Sequence, residues 1–393
     1  MTGKVAIVGA GPSGCYTAQA LLKAAPELEV DVIDALPVPY GLVRYGVAAD
    51  HQGTKAVTRQ FDRIFTRMGG QFFGNLHIGR DLSLDTLRAA YDAVVLTVGL
   101  SGDRRLGIAG DDLPGVIGSA RLTRALHEHP DAADLPDLGP TPVIIGTGNV
   151  AIDILRLLVK TPDELAGSDL GPGPTAWLAR QDIRRITIVG RSPAEAARFD
   201  PAMIRELAGL ARIDAHVAPA PQSDGAIAGL LNTLAAETSG PLPVDFRFQA
   251  APRALRQGSD GLLLDLDTPD GPQTLTASAI LTAIGFASDG QLADETAQAC
   301  YSAGWFRNGP TGALPRCREE GQALAARILA ELTPDAARPG RALLRDIPGT
   351  VDFAHWQAID TFEKSAAGPD RCRRKLARRA DLLTPPPLQD LAS

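Results

Sequence analysis

The sequence carries two short glycine-rich runs whose residue types and spacing suit the binding of a pyrophosphate. The first, Gly9-Ala10-Gly11-Pro12-Ser13-Gly14, directly follows the apolar run Lys4–Val8. In such a run Gly9 permits a tight turn, Gly11 lets a pyrophosphate approach the backbone, and Gly14 lets the next helix pack closely on the strand. The N–H groups that open that helix, around Ser13, then face the phosphates. Asp34 closes the next β-branched run, 20 residues after Gly14, where a carboxylate can accept hydrogen bonds from a ribose diol. The second run, Gly146-Thr147-Gly148-Asn149-Val150-Ala151, follows Pro142–Ile145 and has alanine in the packing position. Its next strand ends in Val189-Gly190-Arg191-Ser192. An acid there would favour a free 2′-hydroxyl, whereas Arg191 offers a charge-assisted fork to a 2′-phosphate. That favours NADP and leaves NAD as the alternative. Stacking over an adenine, or a plain surface charge, are the other readings of Arg191.

Two dinucleotide sites in one chain imply hydride transfer between two bound cofactors. One of them is expected to be a flavin, because exchange between two nicotinamides accomplishes little. The four cysteines, Cys15, Cys300, Cys317 and Cys372, are scattered without a C-x-x-C pair. That argues against a dithiol relay and against a local iron–sulfur motif, and it suits a reducing, cytoplasmic setting. The first turn is the better flavin seat, since the irregular stretch 35–58 after it is long enough to enclose an isoalloxazine ring.

The elements that must position these runs are legible as two βαβ units. Lys4–Val8, a helix over 15–25 and Val30–Ile33 make the first. Pro142–Ile145, a helix over 149–160 and Ile186–Val189 make the second, with a polar insertion at 161–182. Asp92–Gly99 reads as a further buried strand. Helices are expected over 201–212 and 316–332, an antiparallel set of strands over 244–284, and a polar tail at the C-terminus. With 393 residues, 45% of them hydrophobic, the chain can bury two cores. A net charge of −7 argues against nucleic acid as a partner. Six basic residues between Arg371 and Arg379 read either as a solvated helix face or as a docking patch for an acidic partner. No targeting segment is expected before the first strand, and no membrane insertion, since no apolar run has spanning length.

Several separated segments resemble the adrenodoxin-reductase-like ferredoxin–NADP reductases. They are Gly9–Gly14 with Tyr16, Thr17 and Ala18; Tyr40-Gly41-Leu42-Val43-Arg44-Tyr45-Gly46-Val47-Ala48 followed by Asp50-His51; Gly146-x-Gly148-Asn149-Val150-Ala151-x-Asp153; and Gly304-Trp305 followed by Gly309-Pro310-Thr311-Gly312. Val351-Asp352-Phe353 with Trp356 and Asp360 is also similar to the family's end. The resemblance implies an α/β fold of two Rossmann-like dinucleotide-binding domains, the NAD(P) domain inserted into the FAD domain. The boundaries expected are 1–105 and 279–393 for the FAD domain and 106–278 for the NAD(P) domain. It places Leu42, Leu76, Trp305, Gly312, Ala313 and Leu314 around FAD, with Asp34 on its ribose, and Gly146, Thr147, Gly148 and Asn149 on the pyrophosphate of NADP. His51 and Asp153 match a polar pair held near the flavin, and Trp305 would shield or flank its ring. By themselves, His51 reads as a surface histidine, Asp153 as an acid complementing a helix dipole, and Trp305 as a core residue. Arg44 is either a partner contact or a loop anchor.

The activity implied is that of an FAD-dependent NAD(P)H:ferredoxin-type oxidoreductase, passing a hydride from NADPH to FAD and then single electrons to a small, acidic iron–sulfur protein. The chain departs from the family where Ser192 replaces the second of two adjacent arginines, where Met203 replaces a glutamate, and where the stretch from Phe286 to Cys300 is short. These departures motivate an alternative, a flavin-binding electron-transfer subunit or regulatory flavoprotein with weak turnover. A flavin monooxygenase would need F-x-G-x-x-x-H, and Phe73-Gly74-Asn75-Leu76-His77 has the wrong spacing.

Overall fold

The computed structural model describes residues 2–221, 225–288, 292, 299–310 and 314–387. The chain divides into two units, Met1–Gly102 with His127–Asp131 and Phe286–Ser393, and Asp103–Leu126 with Ala132–Gly285.

The first unit is built on a five-stranded parallel sheet ordered Tyr301–Ser302, Ala93–Leu96, Lys4–Val8, Glu29–Ile33, Gln71–Phe73. Its central strands are apolar at nearly every position because both faces are covered. Val5 and Ile7 pack on one side with the helices Pro12–Ala24, Leu314–Glu331 and Phe353–Ser365, while Ala6 and Val8 pack on the other with Leu84–Ala90. Leu314–Glu331 lies so close to Pro12–Ala24 that a Cβ on Gly321 would stand 2.9 Å from the Thr17 nitrogen.

The stretch 35–58 is largely irregular, with single helical turns at Leu42–Tyr45 and Gln52–Lys55, yet it is tied inward. Arg44 is buried and donates through Nη1 and Nη2 to the two carboxylate oxygens of buried Glu363. Glu363 also accepts from Arg373 Nη1 at 2.8 Å and from the Leu376 N–H at 2.9 Å. Burial acts to raise the Glu363 carboxyl, but the Arg44 and Arg373 guanidiniums outweigh it and hold the group below the usual carboxylate range. Both guanidiniums also lie against the Trp356 ring, 5.1 and 6.0 Å from its centroid. Arg44 is therefore a loop anchor.

Two expectations for the C-terminal stretch are corrected. It is not simply a polar tail, because Phe353–Ser365 is a helix that puts Phe353, Trp356 and Ile359 into the core. Nor do residues 371–379 form a solvated helix face. Only Arg379 is helical, Lys375 is buried, Arg373 bonds to Glu363 and Asp360, and Arg379 bonds to Asp131, Asn75 and the Ala35 carbonyl.

The second unit holds a six-stranded parallel sheet ordered Val116–Gly118, Ile280–Thr282, Val143–Ile145, Ile186–Val189, Leu242–Arg247, Ile213–Ala218. A separate antiparallel sheet comprises Ala251–Gln257, Leu262–Thr268 and Gly271–Ala277. The antiparallel expectation for 244–284 thus holds for its middle only, since strands at both ends join the parallel sheet. The insertion 161–182 is not wholly irregular. It contains the helix Pro172–Arg180, fixed by buried Trp177, whose indole N–H donates to the Pro136 carbonyl at 2.7 Å.

Removing one member of a buried ion pair leaves the other charge uncompensated, at a cost of about 3–5 kcal/mol. Glu363→Gln is expected to lose stability on that scale in denaturant unfolding of the full chain. A variant that unfolds with the parent would show that this pair does not hold the loop to the helix.

Candidate functional site

In the first unit, the glycines of the first turn have separable reasons. Gly9 has φ +108°, and a Cβ on it would stand 2.4 Å from the Thr97 carbonyl oxygen. A Cβ on Gly14 would stand 2.0 Å from the Gly9 oxygen. These two are required by the fold itself. Gly11 is different: its φ of −73° is open to any residue, and a Cβ there would meet no atom of the described residues within 4 Å. Nothing among the described residues demands glycine at 11, which is what a cradle for an approaching pyrophosphate requires.

The other segments of the first unit converge on this turn. The Tyr40 N–H donates to the Ala10 carbonyl at 2.9 Å, and Gly41, at φ +46°, comes so near that a Cβ on it would stand 3.2 Å from Gly11 Cα. Gly304, at φ +67°, packs on Ser13, with 2.2 Å between its hypothetical Cβ and Ser13 Oγ. Trp305 follows, half-buried and tilted against Phe286 at 5.0 Å between ring centroids. Leu42 starts the turn Leu42–Tyr45, and Leu314 opens its helix against the core that includes Tyr16. Leu76 is buried and its N–H donates to the Asp34 carbonyl at 3.0 Å. Gly312 and Ala313 lie outside the described residues. His51 sits at the N-terminus of Gln52–Lys55.

Asp34 stands just beyond Glu29–Ile33, beside the turn. Its Oδ2 accepts from the Ala10 N–H at 2.8 Å and its Oδ1 from the Leu36 N–H at 2.9 Å. Burial pushes its carboxyl up to about 6, against the lowering effect of those two N–H groups and of Arg379.

In the second unit the same logic recurs. Gly146 has φ +135° and its Cβ would stand 2.2 Å from the Ala283 carbonyl oxygen, whereas a Cβ on Gly148 would meet no described atom within 4 Å at an ordinary φ of −109°. Thr147 packs against Gly190 and accepts from the Arg198 N–H at 2.9 Å. Asn149 opens its helix and accepts from the Asp200 N–H through Oδ1 at 2.7 Å. Arg191 is exposed, one residue past Gly190. Asp153 lies on Asn149–Val159 and accepts from Arg156 Nη1 at 3.0 Å. Arg156, fully buried, also bonds to Glu206, which accepts from Lys160 Nζ at 2.7 Å as well.

Glu363, the Arg156–Glu206–Lys160 group and Arg198 lie outside the segments whose residue types mark them in the sequence. For Glu363 a signal existed in the i, i+3 recurrence of Phe353, Trp356, Ile359 and Phe362, which marks an amphipathic helix. For Arg198 there was none, because its place depends on a bridge between Gly148 and residue 198.

The family model for pyridine nucleotide-disulphide oxidoreductases matches residues 3–209. The chain is similar to the cindoxin reductase of Citrobacter braakii, at 40% identity over 96% of this chain and 90% of that one. It is also similar to the NADPH-ferredoxin reductase FprA of Mycobacterium leprae (strain TN), at 32% identity over 96% and 97% of the two chains. Among solved structures, Mycobacterium tuberculosis FprA in complex with NADPH superposes with a TM-score of 0.87 at 30% identity, over 98% of this chain and 99% of that one.

Two outcomes follow from this geometry. Gly11→Ala is expected to melt at or slightly above the parent, because alanine tolerates that φ and restricts the unfolded chain, while losing bound flavin; Gly14→Ala is expected to lose stability as well. Equal flavin content in Gly11→Ala and parent would remove the cradle. For Asp34, the folded carboxyl stands near 6, above its unfolded value, so the fold favours its protonated form. A ribose diol donating to the carboxylate favours the ionised form instead. Flavin affinity of the apoprotein should therefore rise between about pH 5 and 7 and then level off. Asp34→Ala should flatten that rise, and an unchanged profile in the variant would exclude this carboxylate as its source.

Proposed function

The chain belongs to the pyridine nucleotide-disulphide oxidoreductase family, and from that premise we propose that it is an FAD-dependent NADPH:ferredoxin-type oxidoreductase. The observation that carries this reading is the pair of glycines, Gly11 and Gly148, whose lack of a side chain answers to no atom of the described residues. There are two dinucleotide seats, one in each unit. The family's disulphide chemistry is not expected here, because the cysteines include no C-x-x-C pair.

FAD is assigned to the first unit and NADPH to the second. When bound, the flavin accepts a hydride from the nicotinamide and releases electrons one at a time. The protein's work is to bind and orient. Gly9, Gly11, Ser13 and Gly14 form the flavin pyrophosphate turn, with Asp34 on the adjoining ribose. Leu42 and the Gly304–Trp305 segment close over that turn, and Leu76 and Leu314 support its surroundings. Gly146, Thr147, Gly148 and Asn149 form the second turn, and Arg191 reads the 2′-phosphate. His51 and Asp153 are assigned to proton supply and cofactor orientation, respectively.

The names of the relatives support a ferredoxin as the electron acceptor, and we take it to be an acidic iron–sulfur protein in the cytoplasm. No described helix is long and apolar enough to cross a membrane.

Anaerobic titration of the purified yellow protein with NADPH is expected to bleach the flavin band. Added ferredoxin should then carry electrons to cytochrome c over many turnovers. A flavin that NADPH leaves oxidised would refute the reading and favour a flavoprotein of weak turnover.

A further inference from the structure

We propose that Arg198, together with Arg191, forms a two-guanidinium clamp for a phosphomonoester at the second dinucleotide turn, namely the 2′-phosphate of NADPH. The inference rests on the reading of that turn as the nicotinamide cofactor's seat and adds the residue that sets its preference.

The loop 191–198 starts and finishes on one residue. At its start, Gly190 abuts Thr147, where a Cβ would stand 2.5 Å from Thr147 Cγ2. At its end, the Arg198 N–H donates to the Thr147 carbonyl at 2.9 Å, and residue 198 forms a parallel bridge with Gly148. The first and last residues of the loop held in this way, Arg191 and Arg198, are both arginines.

Both side chains are exposed, and neither has an ion-pair partner among the described residues. Phe199 next door is buried, so the local alternation turns Arg198 outward. The acids nearby are otherwise engaged: Asp200 Oδ1 caps Pro201–Ala208 by accepting from the Ala202 N–H at 2.8 Å, and Glu195 is half-buried within the loop and has an interaction of its own. Ser192 supplies a hydroxyl beside Arg191 but no charge. A phosphomonoester carries close to two negative charges at neutral pH, so Arg191 alone leaves it undercompensated. A second planar fork from the far end of the loop completes the match, in a way a lysine would reproduce only in charge.

The test uses the flavin-loaded protein and two probes without a nicotinamide, ADP-ribose and 2′-phospho-ADP-ribose, titrated by calorimetry. Arg198→Ala is expected to weaken the 2′-phosphorylated probe by about 10- to 100-fold, the value of a hydrogen-bonded contact to a charged group, while ADP-ribose affinity stays the same. Arg191→Ala should act likewise. Arg198→Ala combined with Ser192→Arg should recover most of the loss, by placing the second guanidinium beside the first. If Arg198→Ala weakens both probes equally, or neither, the clamp is overturned while the seat stands. If the parent protein binds neither probe, the reading of the second turn falls, and the clamp with it.

Discussion

A guanidinium that keeps its charge at any physiological pH is buried in the first unit with a carboxylate 319 residues away. Desolvating two ions costs several kcal/mol each, and only good geometry offsets it. Glu363 meets that condition by taking both Arg44 nitrogens, Arg373 and a backbone N–H. Arg44 sits three residues beyond Gly41, the residue that lies against Gly11. The height of the loop above the first turn is thus set by a contact made deep in the C-terminal part of the chain.

Each turn divides its glycines between two duties. Gly9 and Gly146 are held at positive φ against a carbonyl oxygen from a neighbouring segment, so the fold needs them. Gly11 and Gly148 have ordinary φ and no described atom where a Cβ would stand, so packing among the described residues does not require them. Beyond the turns the two units diverge in charge. The first presents a carboxylate, Asp34, pinned by two backbone N–H groups. The second presents cations at both ends of a loop closed on Thr147. The same βαβ frame therefore offers a hydrogen-bond acceptor in one unit and cationic hydrogen-bond donors in the other.

Much of this was legible in the sequence. Lys4–Val8, Ile186–Val189 and both glycine runs announce themselves because strand, turn and helix recur in register. The rest depends on distance or on direction, which local patterns do not encode. Leu242–Arg247 alternates buried and half-buried residues, as a hairpin strand would, yet runs parallel to both neighbours. Alternation reports that one face is more open, not which way the strand points. Residues 371–379 look like a charged surface because six cations crowd into nine positions. Several of them face inward because their acceptors, Glu363, Asp131 and Asn75, come from elsewhere in the chain. The recurrence of Phe353, Trp356, Ile359 and Phe362 marks the helix that carries Glu363, but its partner Arg44, 319 residues away, has no local signal.

The interrupted course of the first unit has a consequence for biosynthesis. The second unit occupies 103–285 apart from the short detour at 127–131, so all of its strands have been synthesised while more than a quarter of the chain is still to be made. Domains fold as units as they emerge. The second unit can therefore mature during translation, whereas the first must wait, its opening strands exposed, until Glu363 and Arg379 are released. A stop codon before Glu363 would leave a finished lobe attached to an orphaned one, and chaperone demand should fall on the amino-terminal segment that was synthesised first.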